Sequence, residues 1–309
     1  METRKIGNLT VSVVGLGCNN FGSRLDARQT ANVVAAALDS GVTLFDTADI
    51  YGKTKSEEYL GLALKTRRGD AVIATKFGMP IDDRHTGARP EYVRQACRDS
   101  LRRLGTEWID LYQLHQPDPT TPVAATIEAL DQLAKEKKVR EIGCSNFDAG
   151  QLREAASAAR AGASRLVSVQ NEYSLLNRTA EASVIPECRK QGLAFMPYFP
   201  LASGLLTGKY RLGAPVPKGT RLSEGGRYSH WLDQDKVAMV DSLARFAEAR
   251  GHTMLELAIS WLLAETTVAS VIAGATSPEQ VQANAKAGQW KLTADELKEV
   301  DTLLAGKPS

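Results

Sequence analysis

Ala71-Val72-Ile73-Ala74-Thr75-Lys76, then Glu91 to Leu104 and Gly105, then Ile109-Asp110-Leu111-Tyr112-Gln113-Leu114-His115: this stretch reads as strand, helix, stop, strand. The two flanking runs are short, rich in β-branched or aromatic residues, and apolar on successive rather than alternate positions. That pattern belongs to parallel strands covered on both faces. Between them Val93, Ala96, Cys97, Ser100, Leu101 and Leu104 recur at helical spacing, and Gly105 is a natural helix end. Working outward, Val11–Leu16, Val42–Phe45, Val139–Gly143, Leu166–Gln170, Leu193–Pro197 and Val268–Ile272 repeat the same kind of run, and with Ala71–Thr75 and Ile109–Leu114 they make eight. Amphipathic stretches separate them: Arg28–Ser40, in which Ala31, Val34, Ala35 and Leu38 are predicted to be buried, Pro122–Lys135, which Pro122 is suited to open, Asp148–Ala159 and Pro278–Ala287. Strand–helix alternation means a parallel sheet, and eight units in a chain of 309 residues predict an α/β fold of the (β/α)8 TIM-barrel type, one domain spanning 1–309. Two segments fall outside the repeat. Thr3–Val11, with Gly7-Asn8 at its centre, reads as a β-hairpin that would plug the lower end of the barrel. Leu201 to Trp231 holds Gly204, Gly208, Gly213, Pro215, Pro217, Gly219, Gly225 and Gly226 and reads as a long loop over the C-terminal face.

Composition narrows the functional classes. The chain is 43% hydrophobic and 24% charged, the balance of an ordinary soluble globular protein. A net charge of +2 is too even to predict nucleic-acid or membrane binding. Its basic runs, Arg98–Arg103 and Lys135–Lys138, are broken by acids or apolar residues and read as solvated helix faces. Cys18, Cys97, Cys144 and Cys188 form no Cys-x-x-Cys pair and no metal-ligand spacing with histidine, so neither a disulfide framework nor a metal site is expected. Free thiols suit a reducing cytoplasm. Met1–Gly7 lacks the apolar core of a signal peptide, and no uncharged apolar run approaches the roughly 20 residues of a membrane span.

Three strands run into an ionisable residue that does not belong in a core. Val42–Phe45 ends at Asp46, Ala71–Thr75 at Lys76, and Ile109–Leu114 at His115. In a barrel the C-terminal strand ends share one mouth, so these three become neighbours, and Tyr51 follows Asp46 by five residues on the same face. A buried ammonium needs a counter-charge, which Asp46 offers. A phenol titrates at about 10, and a nearby ammonium favours its ionised form. Such a tyrosine can give its proton to a carbonyl oxygen as hydride reaches the carbon, with His115 holding that oxygen. Each residue alone also has a plainer reading: Asp46–Lys76 as a structural ion pair, His115 as a core histidine, Tyr51 as an ordinary loop tyrosine. Against the plainer reading stands the coincidence of all four on one rim.

With these residues in place the chain resembles the aldo-keto reductases over nearly its whole length. The likeness rests on Phe45-Asp46-Thr47-Ala48-Asp49-Ile50-Tyr51-Gly52, Ala74-Thr75-Lys76-Phe77-Gly78, Asp110-Leu111-Tyr112-Gln113-Leu114-His115, Gly143-Cys144-Ser145-Asn146-Phe147, Val169-Gln170-Asn171-Glu172-Tyr173-Ser174 and Gly204-Leu205-Leu206-Thr207-Gly208-Lys209. The resemblance implies that Asp46, Tyr51, Lys76 and His115 form the catalytic tetrad. It also implies NAD(P)H-dependent interconversion of carbonyl compounds and alcohols, without metal or flavin. By the same likeness Ser145, Asn146 and Gln170 would hold the nicotinamide carboxamide, with Tyr198 stacked on the ring. Leu201, Ser203, Gly204, Leu205 and Lys209 would approach the pyrophosphate. Gly274, Thr276, Ser277, Gln280 and Asn284 would meet the adenosine end. Gly15-Leu16-Gly17 hints at a Rossmann loop, but Asn20 stands at the third position and no helix begins at once. Two departures from the family bear on the cofactor. Phe199 follows Tyr198 where many relatives carry Ser or Thr, and Ser277 stands where NADPH-preferring relatives often carry Arg. NADPH is the expected cofactor by family habit, with NADH open. The substrate wall is expected from Asn19, Asn20, Phe21, Ile50, Phe77, Met79, His85 and Trp231, around a small carbonyl compound. Two rival functions stand beside this one. The first is a slow-turnover NADPH-binding regulatory barrel resembling the potassium-channel β subunits. The second is a Schiff-base aldolase using Lys76, which pairing with Asp46 disfavours by keeping the lysine charged.

Overall fold

Eight strands run parallel in the order β10-β3-β4-β5-β6-β7-β8-β9 in a computed structural model that describes all residues except 219, 221, 224–230 and 307–309. They are β3 (Val14–Gly17), β4 (Leu44–Asp46), β5 (Val72–Phe77), β6 (Ile109–Leu114), β7 (Val139–Ser145), β8 (Leu166–Glu172), β9 (Ala194–Tyr198) and β10 (Val271–Gly274). The remaining gap closes just before β10, where the Phe195 N–H donates to Thr267 O at 2.8 Å and the Ala269 N–H to Phe195 O at 3.0 Å. The result is a nearly closed (β/α)8 barrel, as the alternation of runs predicts. Around it lie α1 (Ala27–Asp39), α2 (Lys55–Leu64), α3 (Pro90–Leu104), α4 (Val123–Lys135), α5 (Ala149–Ala158), α6 (Val184–Gln191), α7 (Gln234–Glu248), α8 (Met254–Ala264), α9 (Pro278–Ala287) and α10 (Ala294–Ala305). Part of the long loop, including Gly219, Gly225 and Gly226, lies outside the described residues.

The N-terminal hairpin is present as β1 (Thr3–Ile6) and β2 (Leu9–Ser12), joined by Gly7-Asn8 with Gly7 at φ +55°. Its buried residues Ile6, Leu9 and Val11 join Leu44, Ala74, Leu111, Ala194, Met196 and Ile272 in a separate apolar cluster that fills the lower barrel. Glu141 receives the turn, accepting from the Asn8 N–H and its side-chain amide at 2.8 Å each. Arg4 bolts the hairpin to the end of α8 through Leu263 O and Val268 O. The run Val11–Leu16 is therefore two elements, because Ser12 ends the hairpin and Val14 begins the barrel. Nothing in a continuous apolar run marks where the pairing partner changes.

Local chemistry explains the helix ends. Asp26, Asp148, Thr253 and Thr293 each close a reciprocal capping box, with Gln29, Gln151, Glu256 and Glu296. Gly105 and Gly192 stop α3 and α6 in the left-handed region. In α1 the buried stripe is Thr30, Val33, Val34, Ala37 and Leu38, whereas Ala31 and Ala35 face solvent. Alanine is tolerated on either face, so it says little about which side packs. Leu101 is half-buried at the edge of the α3 stripe.

Helices α2 and α3 pack tightly at Gly61, where a Cβ would lie 2.3 Å from the carbonyl oxygen of Leu104. Backbone cannot yield as a flexible side chain can. Gly61→Ala is therefore expected to destabilise the protein by about 1–3 kcal/mol through overpacking, against its better helix propensity. A thermal midpoint equal to or above the wild type would contradict the tight contact.

Candidate active site

The four residues expected at the mouth converge. Lys76 is fully buried in β5, and its Nζ donates to Asp46 Oδ2 at 2.7 Å and to Thr47 O at 2.9 Å. Its third N–H goes to the Tyr51 phenol oxygen, whose ring centre is 5.2 Å from Nζ. Asp46, 3% exposed, has its other oxygen occupied by the Gln170 side-chain amide at 2.9 Å. His115 follows β6, anchored by its N–H to Phe77 O, and presents its ring to Tyr51 in a T-shaped contact with centroids 5.7 Å apart.

Tyr51 sits on a turn that the rest of the fold holds in an unusual shape. Gly52, Lys53 and Thr54 all have positive φ, at 58°, 55° and 74°. A Cβ on Gly52 would meet Phe21 O at 2.3 Å, so only glycine fits there. The two non-glycine residues store strain, which persists because neighbouring bonds fix the ends of the turn. Thr47 Oγ1 and Ser56 Oγ bond at 2.8 Å, and Ser56 Oγ donates to Cys18 O at 2.9 Å.

Electrostatics differ in one respect from the sequence expectation. Burial raises the Tyr51 pKa and outweighs the Lys76 ammonium, which lowers it, while Asp46 opposes Lys76. Lys76 thus offsets the cost of burying the phenol rather than bringing it toward neutrality. The Lys76 pKa is itself raised: burial acts to lower it, but Asp46 and Tyr51 together prevail, so the ammonium keeps its charge. Burial, then Lys76, depresses His115 to about 3, so its imidazole is neutral near pH 7. Its Nδ1 is buried without a partner.

The residues expected around the cofactor line the same mouth. Ser145 Oγ donates to Gln170 O at 2.8 Å, and Asn146 Nδ2 to His115 O at 2.9 Å. The Tyr198 hydroxyl donates to Asn146 Oδ1 at 2.8 Å, which leaves its half-buried ring beside the opening. Beyond β9, Phe199, Ala202, Ser203 and Gly204 have positive φ of 50°, 44°, 56° and 104°. Successive left-handed residues turn backbone N–H groups to one side, the form of an anion-binding nest. Ser203 Oγ is buried there without a partner, and the position of a Cβ on Gly204 lies 3.4 Å from Lys209 Nζ. Leu201 is half-buried and Leu205 fully buried in the same turn. Gly274 ends β10, and Asn284 Nδ2 reaches its carbonyl at 3.4 Å. Ser277 caps α9 by accepting from the Gln280 N–H, while Gln280 Oε1 accepts from the Thr276 N–H at 2.8 Å. The positive end of α9 thus lies by the mouth, where it suits phosphate. An orphaned hydroxyl, a nest and the positive end of a helix together fit a dinucleotide.

The substrate residues divide. Asn19 is half-buried at the end of β3, next to Gly274, and Ile50 is half-buried next to Tyr51. Phe21 and Phe77 do not line the opening. Both are fully buried in the main core, and Phe77 stacks on Tyr112 with centroids 4.7 Å apart. Side chains alternate across a strand, so with Lys76 facing the barrel interior Phe77 must face the helices. Trp231, 7% exposed, packs in that core with the Lys236 ammonium 5.4 Å over its ring. Two buried acids behind the mouth carry no role in the sequence reading: Asp49, 1% exposed, and Glu57, fully buried. The signal for Asp49 is a second acid, between Ala48 and Ile50 and three residues after Asp46. The four cysteines are unpaired and buried, and no described helix is long and apolar enough to cross a membrane.

Residues 13–305 match the model of the Aldo/keto reductase family. A probable aldo-keto reductase from Glycine max is 33% identical over 94% of this chain and 84% of its own length. A probable voltage-gated potassium channel subunit beta from Arabidopsis thaliana is 31% identical over the whole of this chain and 98% of its own. Among solved structures, a glycerol dehydrogenase from Gluconobacter oxydans superposes with a TM-score of 0.86 at 32% identity, covering 99% of this chain and 96% of the other.

Proposed function

The chain belongs to the aldo/keto reductase family, whose members are oxidoreductases that use nicotinamide cofactors on small carbonyl compounds, and from that premise we propose that it reduces aldehydes or ketones to alcohols with Tyr51 as the proton donor. The observation that carries this reading is the Tyr51–Lys76–Asp46 chain of hydrogen bonds at the barrel mouth, with the His115 ring against Tyr51. Ser145, Asn146, Gln170 and Tyr198 would hold the nicotinamide. The turn Leu201–Leu205 with Lys209 would hold the pyrophosphate, and Gly274, Thr276, Ser277, Gln280 and Asn284 the adenosine end. NADPH is the proposed cofactor. When bound, it supplies the hydride.

The protein's own residues manage the oxygen. The neutral His115 can donate one N–H to the carbonyl oxygen, and the proton is best placed on Nε2, because an N–H at the unpartnered Nδ1 would go unsatisfied. As negative charge builds on that oxygen, the Tyr51 hydroxyl transfers its proton. An alkoxide is a much stronger base than a phenolate, so transfer stays downhill even from a phenol whose pKa burial has raised. The Lys76 ammonium then stabilises the phenolate left behind, while Asp46 and Thr47 O keep the ammonium in place. Neither donor must reorganise during the step.

Following NADPH and NADH absorbance against a panel of aldehydes and ketones tests the proposal. Steady cofactor oxidation at one or more turnovers per second is expected with some member of the panel, in line with ordinary enzyme rates of about 1–10³ per second. A second reading, a slow regulatory barrel that binds the cofactor, draws support from the likeness to the channel subunit. Tight cofactor binding with no turnover across the panel would favour that reading.

A further inference from the structure

Behind the mouth lies a buried cluster that the mechanism does not use. Glu57, on α2, is fully satisfied: Oε1 accepts from Thr75 Oγ1 and Oε2 from Arg103 Nε, each at 2.6 Å. Thr75 directly precedes Lys76, so Glu57 ties α2 and α3 to the strand that carries the ammonium. Asp49 is different. Its N–H donates to Lys76 O at 3.0 Å, which seats it against the same strand two residues before Tyr51. Its carboxyl is buried; the adjacent Ile50 N–H approaches it, but neither oxygen finds a hydrogen-bond partner of good geometry.

The charges facing Asp49 come from every packed element. Glu57 approaches from α2, Arg103 and the Tyr92 phenol from α3, the Lys76 ammonium from β5, and the Tyr112 phenol from β6. Arg103 already serves Glu57, and the three N–H groups of Lys76 go to Asp46, Thr47 and Tyr51. Both cations that face Asp49 are thus engaged elsewhere, and apart from the adjacent Ile50 N–H an ionised Asp49 would be a second anion beside Glu57 with no cation of its own, an arrangement that is expensive in a dry interior.

We propose that Asp49 is a positioning residue that works as a neutral carboxylic acid: protonated, it packs beneath the strained turn that presents Tyr51 to Lys76, and on ionising it pulls that turn out of register. The inference rests on the reading of Tyr51 as proton donor. Burial first, and the Glu57 charge second, push the Asp49 pKa up to about 8, so loss of its proton falls just above neutral pH. The turn is sensitive because Gly52, Lys53 and Thr54 are already held in the left-handed region.

Two measurements on the full chain decide it. Infrared spectroscopy is expected to show a protonated-carboxyl C=O stretch at pH 7 that fades as pH rises through about 8 and is absent from Asp49→Asn. In kcat against pH, the wild type is expected to fall over the same interval. Asp49→Ala is expected to lose about tenfold to a hundredfold at every pH, the scale of a small misplacement of reacting groups. Asp49→Asn, which copies the neutral acid and cannot ionise, should restore what alanine loses and carry the plateau to higher pH. An unchanged infrared band in Asp49→Asn would overturn the proposal. So would an asparagine variant as slow as alanine at every pH, since the carboxylate itself would then be needed. Tyr51→Phe is the control for the underlying reading: if that variant stays active, the proton-donor reading fails while the Asp49 band remains. If it is inactive and the Asp49 band is missing from the wild type, only the present inference fails.

Discussion

Replacing Tyr51 by Phe is expected to cut kcat/KM for carbonyl reduction by about 10²–10⁴, the usual worth of one positioned acid, while the dissociation constant for NADPH stays nearly unchanged. The substitution removes one oxygen and leaves the ring, so its edge contact with His115 can persist. What goes is the hydroxyl beside the Lys76 ammonium, the group proposed to face the substrate oxygen. None of the residues proposed to hold the cofactor needs the Tyr51 hydroxyl: Ser145, Asn146, Gln170 and Tyr198 bond to one another, to His115 O and to Asp46. Steady-state kinetics with cofactor titration by fluorescence would separate the two effects. A variant retaining more than about a tenth of wild-type activity, less than one factor of ten lost, would remove Tyr51 from the chemistry.

Lys76→Met should do two kinds of damage. Asp46 is 3% exposed, and the substitution deletes the partner of its Oδ2, leaving a buried carboxylate with only the Gln170 amide. Breaking a buried pair on one side costs about 3–5 kcal/mol, so a marked drop in thermal midpoint is expected. The rate should also fall by orders of magnitude, because the phenolate formed on proton transfer would face burial with nothing to offset it. A second substitution parts the two effects: adding Asp46→Asn should recover much of the stability and none of the rate. If the double variant regained activity, the ion pair would be structural and no more.

Much of this was legible in the order of residues. Eight both-sides-apolar runs led to a barrel because strands buried on two faces leave no polar alternation, and their endings at Asp46, Lys76 and His115 marked the mouth. The hairpin was legible from Gly7-Asn8. What stayed hidden followed from physics that acts across the fold. Phe77 looks like a substrate wall because it follows Lys76, yet strand alternation turns it toward α3 and Tyr112. The weight of burial against the Lys76 charge on the Tyr51 phenol depends on depth, which spacing does not give. Glu57 and Arg103 are 46 residues apart and meet only because α2 packs on α3.

Ile6, Leu9 and Val11 stopper the base of the barrel with a greasy seal, and Glu141 and Arg4 latch the stopper in place. Among the described residues the lower end of the barrel is thus shut, and Asp46, Tyr51, Lys76 and His115 gather at the other end. The N-terminal residues thus serve the fold alone, at the opposite end of the molecule from the proposed chemistry.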